Sequence, residues 1–581
     1  VVTNSEALAM PSRTRWSGVR GVLRSRTSQY AFVTLTIVLG CMDGAYRAMY
    51  GLPPILEEER FVPSIKRLSA IPPAIAPMSP LRPTNYLFSS QLTSDPSLFQ
   101  HSPIGGVCTR MQDCQVDLVC REGICTTCLT TDECKERDQM RECYINTEAK
   151  PGSPEAIGIC SHKALLSDFQ AADLWLTLFT FLVISLSAPT GTGGGGILTP
   201  MYIILGGFTT HSAIPLSKAT IFGGAVINNI INIPRRHPFA NRPLIAYDLV
   251  FIMGPAVLTG AVIGVLFNAV SPAFLLGLLL TVVLAYSTYS ASRKAWDIYQ
   301  LENKAEAEEE KARLLPGGGQ MPGQHYSFGE QVKETSSDRL KEILEAEQQA
   351  DGIAVGLMCT AWLFITLVAM LKANSLPGQP EIACGGWAYW LIAFVPLPVF
   401  AWTTWAAGTQ AAQLHEEKVA WGYRFSEGDM QWTRFNVRLY PLLAFAAGVT
   451  AGSLGIAAGM LLSPFFLELG VVPLVGMATT SLFVMFTSSS TSVQYIFLGQ
   501  LKMDYAIYFC LVGGVGAAFG NVALNALVER YRKAWFLVAI MALLLLLSMF
   551  LMSWMAWLDL SHQVSQDGYS IGFRDICSAE L

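Results

Sequence analysis

Residues 189–200 read PTGTGGGGILTP and directly follow the apolar run DLWLTLFTFLVISLSA at 173–188. Glycine is a poor helix residue, and an unpaired backbone group in hydrocarbon costs several kcal/mol. Four consecutive glycines beside a run suited to lipid therefore need a reason. Irregular backbone is tolerated at membrane depth only where it is buried in protein or lines a cavity. The competing explanation is close helix packing through small residues.

A repeat within the chain favours the first explanation. The stretch GGILTPMYIILGGFTTHSAIPLS begins at Gly195, and GMLLSPFFLELGVVPLVGMATTS begins at Gly459. An offset of 264 (459 minus 195) places Gly195 on Gly459, Pro200 on Pro464, Gly206 on Gly470 and Ser217 on Ser481. Each copy has a glycine-rich lead-in (Gly193, Gly194, Gly195 and Gly196 in the first, Gly455 and Gly459 in the second), then a short segment, then a small-polar helix. Inverted repeats with short, glycine-interrupted segments at matching positions point to the binding site of a secondary transporter.

Composition agrees. The chain has 581 residues, 52% of them hydrophobic and 14% charged, against about 25% charged in soluble domains. Apolar segments at 171–189, 196–208, 212–233, 245–268, 273–291, 352–373, 387–408, 438–453, 459–470, 475–498, 504–527 and 534–557 make this a polytopic helical membrane protein. The expected fold class is all-α: an inverted repeat of about five plus five helical segments, some short or broken, with two linking helices and a small N-terminal disulfide-rich module. The net charge of −5 gives no reason to expect nucleic acid as a partner. The bilayer and a small anion are the expected partners, with an extracellular protein on the module as a further candidate.

The expected boundaries are 1–51 for a basic tail with a signal peptide or signal anchor, 52–107 for a Pro-rich linker and 108–168 for the Cys-rich module. Membrane repeat 1 covers 169–291, a charged cytosolic insert 292–350, two linking helices 351–408, a cytosolic loop 409–437, repeat 2 438–558 and the C-terminal tail 559–581. Lys and Arg placement puts Arg235, Arg236, Arg242, Arg530, Arg532 and Lys533 inside. The module and the C-terminal tail then share the non-cytosolic side of a plasma membrane or endomembrane, provided that 196–208 and 459–470 each cross or nearly cross.

Of thirteen cysteines, Cys108, Cys114, Cys120, Cys125, Cys128, Cys134, Cys143 and Cys160 cluster in the module. Such density reads as four internal disulfides in an oxidising compartment. The one CxxC, Cys125 to Cys128, leaves a zinc knuckle as the lesser alternative, so no metal and no cofactor are expected. Cys384 and Cys577 form a candidate further pair.

GTGGGGILTP (191–200), LSKATIFGGA (216–225), RRHP (235–238), PLIAYDL (243–249) and GVLFN (264–268) resemble the eukaryotic branch of the sulfite exporter TauE/SafE family. SPFFLELG (463–470), ATTSLF (478–483), FTSSSTSVQY (486–495) and DYAIYF (504–509) follow in the family's order. The resemblance covers about residues 170–557 and implies a multi-helix transporter of sulfite or related sulfur-containing anions. The second half departs from the pattern with GIAAG at 455–459 and with Gln494 where a Glu is expected.

Several polar residues are candidates for the substrate path. Lys218 sits early in its span, where an ionisable residue is a functional candidate by default; the alternative is a lysine snorkelling to the interface. Asn228 and Asn232 share a helix face and serve either as neutral donors or as interhelical glue. Thr479, Thr480, Ser481 and Ser489 give the second repeat a hydroxyl-lined helix, unless the hydroxyls bond their own preceding carbonyls. Glu468 and Asp248 are candidates for ion coupling, against an interfacial role for the first and ordinary helix electrostatics for the second. No nucleophile motif, phosphate loop or transmembrane metal cluster argues for an enzyme. The reading that competes with transport is a cell-surface receptor or scaffold acting through the Cys-rich module.

Overall fold

The computed structural model describes residues 118–564 except 138–140, 146–157, 166–168, 239, 315–342, 344, 346, 349–351, 373–381, 383–384, 424, 426–427 and 532–534. The signal segment, the Pro-rich linker, Cys108, Cys114, Cys384, Cys577 and the tail after Val564 lie outside these residues.

Five helices form the first half: α2 (Ala171–Ser187), α3 (Gly195–Ile204), α4 (Thr210–Asn232), α5 (Tyr247–Val270) and α6 (Ala273–Leu314), after a short α1 (Thr131–Arg137) in the module. Then come α7 (Gly352–Lys372), α8 (Trp387–Phe394) and α9 (Pro396–Ala420). The second half repeats the first as α10 (Asn436–Leu454), α11 (Gly459–Glu468), α12 (Pro473–Phe497), α13 (Met503–Tyr531) and α14 (Trp535–Val564). Among the described residues, eight helices are long and apolar enough to cross a membrane. Leu174, Trp175, Leu178 and Leu182 of α2 and Leu543, Leu547 and Phe550 of α14 stay exposed, an apolar outer surface that lipid covers. The protein is an integral membrane protein.

The halves exchange partners. α2 packs on α13 as α10 packs on α5; α3 packs on α14 as α11 packs on α6; α4 and α12 meet each other. Swapping the halves leaves this pattern unchanged, so a pseudo-two-fold axis relates them. The halves also run oppositely. α2 starts at the module end, where Leu165 N donates to Asp504 at the start of α13 (3.0 Å). α10 starts at the other end, where Trp432 Nε1 donates to Asp248 in the first turn of α5 (2.9 Å).

Small residues let the exchanged helices touch backbone to backbone. Gly260 and Gly264 of α5 face Gly448 and Gly452 of α10, interlocking G-x-x-x-G pairs whose close approach replaces the hydrophobic drive that lipid cannot supply. A Cβ at Gly448 would lie 2.1 Å from the Val257 carbonyl oxygen.

The short segments behave differently from the sequence expectation. α3 and α11 have ten residues each, about 15 Å at 1.5 Å per residue, half of a hydrocarbon core about 30 Å thick. Neither crosses. α2 and α3 form a re-entrant hairpin from the module end, and α10 and α11 form another from the opposite end. A hairpin reverses direction as two crossings do, so either path returns the chain to the end it entered from. Two helices also outrun their apolar stretches: α6 continues to Leu314 and α9 to Ala420, because Ala-, Glu- and Lys-rich sequence carries helix on into water.

The Cys-rich module is two antiparallel hairpins, β1 (Val119–Arg121) with β2 (Ile124–Thr126) and β3 (Arg141–Ile145) with β4 (Gly158–His162). Cys128–Cys143 and Cys134–Cys160 are disulfides, and Cys120 and Cys125 are disulfide-bonded as well. Cys128, Cys134 and Cys143 bring their sulfurs within 4.8 Å of one another. All three are spent in S–S bonds, which leaves no thiolates for zinc.

At the opposite end, the loop after α4 is tied down. His237 N donates to Arg242 O (2.9 Å), and the Arg242 guanidinium pairs with Asp429. Burial, followed by the Arg242 charge, lowers the pKa of His237 to about 4. The unfolded chain takes up this proton near pH 6.5 and the folded one only near 4. The neutral ring's contribution to stability is therefore complete above about pH 6.5 and is lost as pH falls toward 4. Thermal unfolding of His237→Gln in detergent should lose less between pH 7.5 and 4.5 than that of the parent (endpoints approximate, chosen to span this window). Equal losses would remove His237 from the balance.

Candidate functional site

The tips of the two hairpins meet in the middle of the molecule. Gly191 (φ +70) and Gly455 (φ +73), matched by the offset of 264, are both left-handed, a backbone conformation that glycine alone adopts without strain. Each half's glycines seat the other half's lead-in. A Cβ at Gly459 would lie 1.9 Å from the Gly191 carbonyl oxygen, and one at Gly195 2.8 Å from that of Gly455. The glycine run thus serves both purposes considered for it: close packing, and irregular backbone beside a cavity.

α3 starts at this crossing, with Gly194 (φ 73) as its N-cap and its carbonyl accepting from Ile197 and Leu198 N–H (3.0 and 3.1 Å). α11 starts there too, behind Ala458. The positive ends of two half-helices therefore converge, where an anion is favoured. Pro200 and Pro464 occupy the sixth position of each.

Beside the crossing lies a small cavity of about 10 Å3, lined by Ala188, Gly191, Gly193, Ile221, Asn228 and Ser481 among others, room for about one water. Asn228 Nδ2 donates to Ala188 O and to Ser481 Oγ, both at 2.7 Å. Asn232 Nδ2 donates to Asn228 Oδ1 (3.1 Å), and Arg235 Nη1 to Asn232 Oδ1 (3.3 Å). A ladder of donors thus runs from the cavity to the end opposite the module. Asn229, the next residue on α4, also holds Ser481, donating Nδ2 to the Ser481 carbonyl oxygen (3.0 Å).

Lys218 does not snorkel. It is 1% exposed, and Nζ donates to Ala451 O (2.7 Å) and Ile456 O (2.6 Å). It is one of a set that answers the last carbonyls of α10 in a dry interior. Tyr495 donates to Gly452 O (3.3 Å), Asn268 to Ser453 O (2.5 Å) and Ser217 to Gly455 O (3.1 Å). Helix ends leave such groups orphaned, and burying them unmet costs about 1–3 kcal/mol each.

The hydroxyls of α12 divide. Ser481 faces the cavity. Thr479 Oγ1 donates to Val475 O (2.7 Å) and accepts from Ala246 N (3.0 Å). Thr480 bonds Met477 O and meets Ser463, each at 3.0 Å, and Ser489 bonds Phe486 O (2.9 Å). These three follow the back-bonding alternative and do not line the cavity. Neither do Glu468, which accepts from Ser290, and Asp248, held by Trp432. Gly191, which is not among the sequence candidates, lines the cavity, and its match to Gly455 under the same offset is the signal in the sequence that points to it.

The chain is similar to plant proteins with a common family name. It is 29% identical over 412 residues to sulfite exporter TauE/SafE family protein 2 of Arabidopsis thaliana, covering 69% of this chain and 86% of that one. Family protein 3 is 26% identical over 401 residues (69% and 82%) and family protein 5 is 27% identical over 423 residues (71% and 90%). No family model matches the chain, and no solved structure matches it significantly.

Proposed function

From the premise that this chain is a plant-type relative of the sulfite exporter TauE/SafE family, we propose that it is a secondary transporter of small anions, sulfite or a related sulfur-containing or organic anion. It works by alternating access between its inverted repeats. The observation that supports this reading is the meeting of two glycine tips, each opening a half-helix, beside a cavity that Gly191 and Gly193 of the first tip line together with Asn228 and Ser481. Oxygen atoms of the anion take the place of the Ser481 hydroxyl on Asn228, with Gly193–Gly196 and Gly455–Gly459 shaping the backbone around it. Asn232 and Arg235 continue the donor path, and Lys218 stands behind the lead-in as a fixed positive charge. Neutral donors suit a solute that must leave as well as bind. Coupling through Glu468 or Asp248 would act at the face opposite the module rather than at the cavity.

The module lies on the non-cytosolic side in this reading. Its disulfides need an oxidising compartment, and Arg235, Arg236 and Arg242 gather at the other end.

The test is uptake into proteoliposomes across sulfite, sulfate, thiosulfate and small organic anions, with binding measured on purified protein. Asn228→Ala should weaken binding of the transported anion about tenfold or more, as expected for loss of a hydrogen bond to a charged group. No flux for any of these anions, or normal binding by Asn228→Ala, would remove this site.

A further inference from the structure

Residues 160–165 do more than end the module. Cys160 is fixed by its disulfide to Cys134 and through its carbonyl by Arg141 (3.3 Å). Two residues on, the His162 ring stacks on Phe208, with centroids 3.9 Å apart and planes 7° apart. The edge of Tyr505 meets the same ring at 5.0 Å. His162 Nε2 lies 2.7 Å from Gly206 O, and Lys502 donates to His162 O. Lys163, fully buried, pairs with Asp173 of α2 at 2.6 Å, and Leu165 N donates to Asp504 (3.0 Å). Burial lowers the His162 pKa, in keeping with a neutral ring that donates through Nε2 to Gly206.

These contacts join two loops from opposite halves. Gly206 and Phe208 connect α3 to α4 in repeat 1, and Lys502, Asp504 and Tyr505 open α13 in repeat 2. Any opening of the cavity toward the module must part these loops, since α4, which lines the cavity, begins at the α3–α4 loop on that end. A segment bonded to both, and tethered to a disulfide-stiffened module, resists the parting.

We propose that the Cys-rich module is a latch on the transporter's own gate: residues 160–165 clamp the α3–α4 loop to the start of α13, and the module-side gate opens when His162 leaves the slot between Phe208 and Tyr505. This rests on the transporter reading, but its test uses no anion. The partner of the module surface is then the membrane domain of the same chain.

Ala213, in the first turn of α4, is 0% exposed, so a cysteine placed there reacts only when the gate opens. Ala213→Cys is combined with His162→Ala or Lys502→Met in the full chain, and with Lys135→Ala, an exposed module residue, as control. A membrane-impermeant thiol reagent is applied from the module side. Labelling of the residue-213 peptide is followed by mass spectrometry, which separates it from the native cysteines. His162→Ala should speed labelling about tenfold, the combined worth of a ring stack and a hydrogen bond, and Lys502→Met, which removes one charge-assisted hydrogen bond, about as much, while Lys135→Ala leaves the rate unchanged. Unchanged labelling in His162→Ala overturns the latch. If that variant is not recovered folded, Lys502→Met decides by the same readout. A protein that fails every uptake assay but shows the labelling difference keeps the latch and loses the anion.

Discussion

Gly459→Ala is expected to prevent assembly of the membrane domain. The added methyl would sit 1.9 Å from the Gly191 carbonyl oxygen and 2.9 Å from Val484 Cγ2. The first contact is with backbone, so no rotamer change relieves it; one hairpin tip has to withdraw from the other. Overpacking a tight interior costs about 1–3 kcal/mol and occasionally more, and here the shift also deforms the cavity. Detergent-solubilised variant should lose most of its monodisperse peak and its transport. Gly356→Ala, on α7 with nothing within 4 Å of the added Cβ, should be neutral or stabilise by up to about 1 kcal/mol. A Gly459→Ala protein that melts and transports normally would mean that the tips do not meet.

Lys218→Met should have the next largest effect, and it should appear first in stability. Two charge-assisted hydrogen bonds vanish, and the carbonyls of Ala451 and Ile456 stay buried without them. Each such bond contributes about 1.5–3 kcal/mol, so a loss of about 3 kcal/mol is expected in unfolding measurements. Loss of the nearby charge should also weaken anion binding per folded molecule, by roughly tenfold if the contribution is about 1.4 kcal/mol. Lys218→Arg keeps the charge but imposes a planar fork on a site shaped for an ammonium, and should lie between the two. Unaltered melting in Lys218→Met would exclude the carbonyl-capping role; unaltered binding at reduced stability would restrict the residue to that role.

Much of the architecture was legible because lipid allows few solutions. Apolar length marked the long spans, and a single offset matched Gly195 with Gly459 and Pro200 with Pro464, which located both half-helices. Their doubling back was not legible, since a short apolar segment has the same composition whether it crosses or returns. The site was legible in part. Asn228 and Ser481 stood out as polar residues in apolar helices, and they meet at the cavity. For Lys218 the sequence offers a functional and a snorkelling alternative but not its partners, because these are backbone carbonyls, which have no signature in sequence. Thr479, Thr480 and Ser489 look identical to Ser481 in sequence; only helix azimuth separates a hydroxyl that faces the cavity from one that turns back on its own helix. His162 gave no signal, because its meaning lies in a stack on Phe208, across a turn of chain that composition does not reveal.

The exchange of helices between halves also constrains how the protein is made. α5 leaves the ribosome with its Gly260–Gly264 face bare, and the α10 surface that fits it begins only at Asn436. Until then that groove must rest against lipid or against a helper that shields it, and α2 waits longer still, for α13. A chain halted between the halves has no complete interface to settle into and would be a natural target for quality control in the membrane. The same interlacing argues against separating the halves onto two genes: each repeat on its own lacks the helix that closes it, so the pair must be inherited, inserted and degraded as one piece.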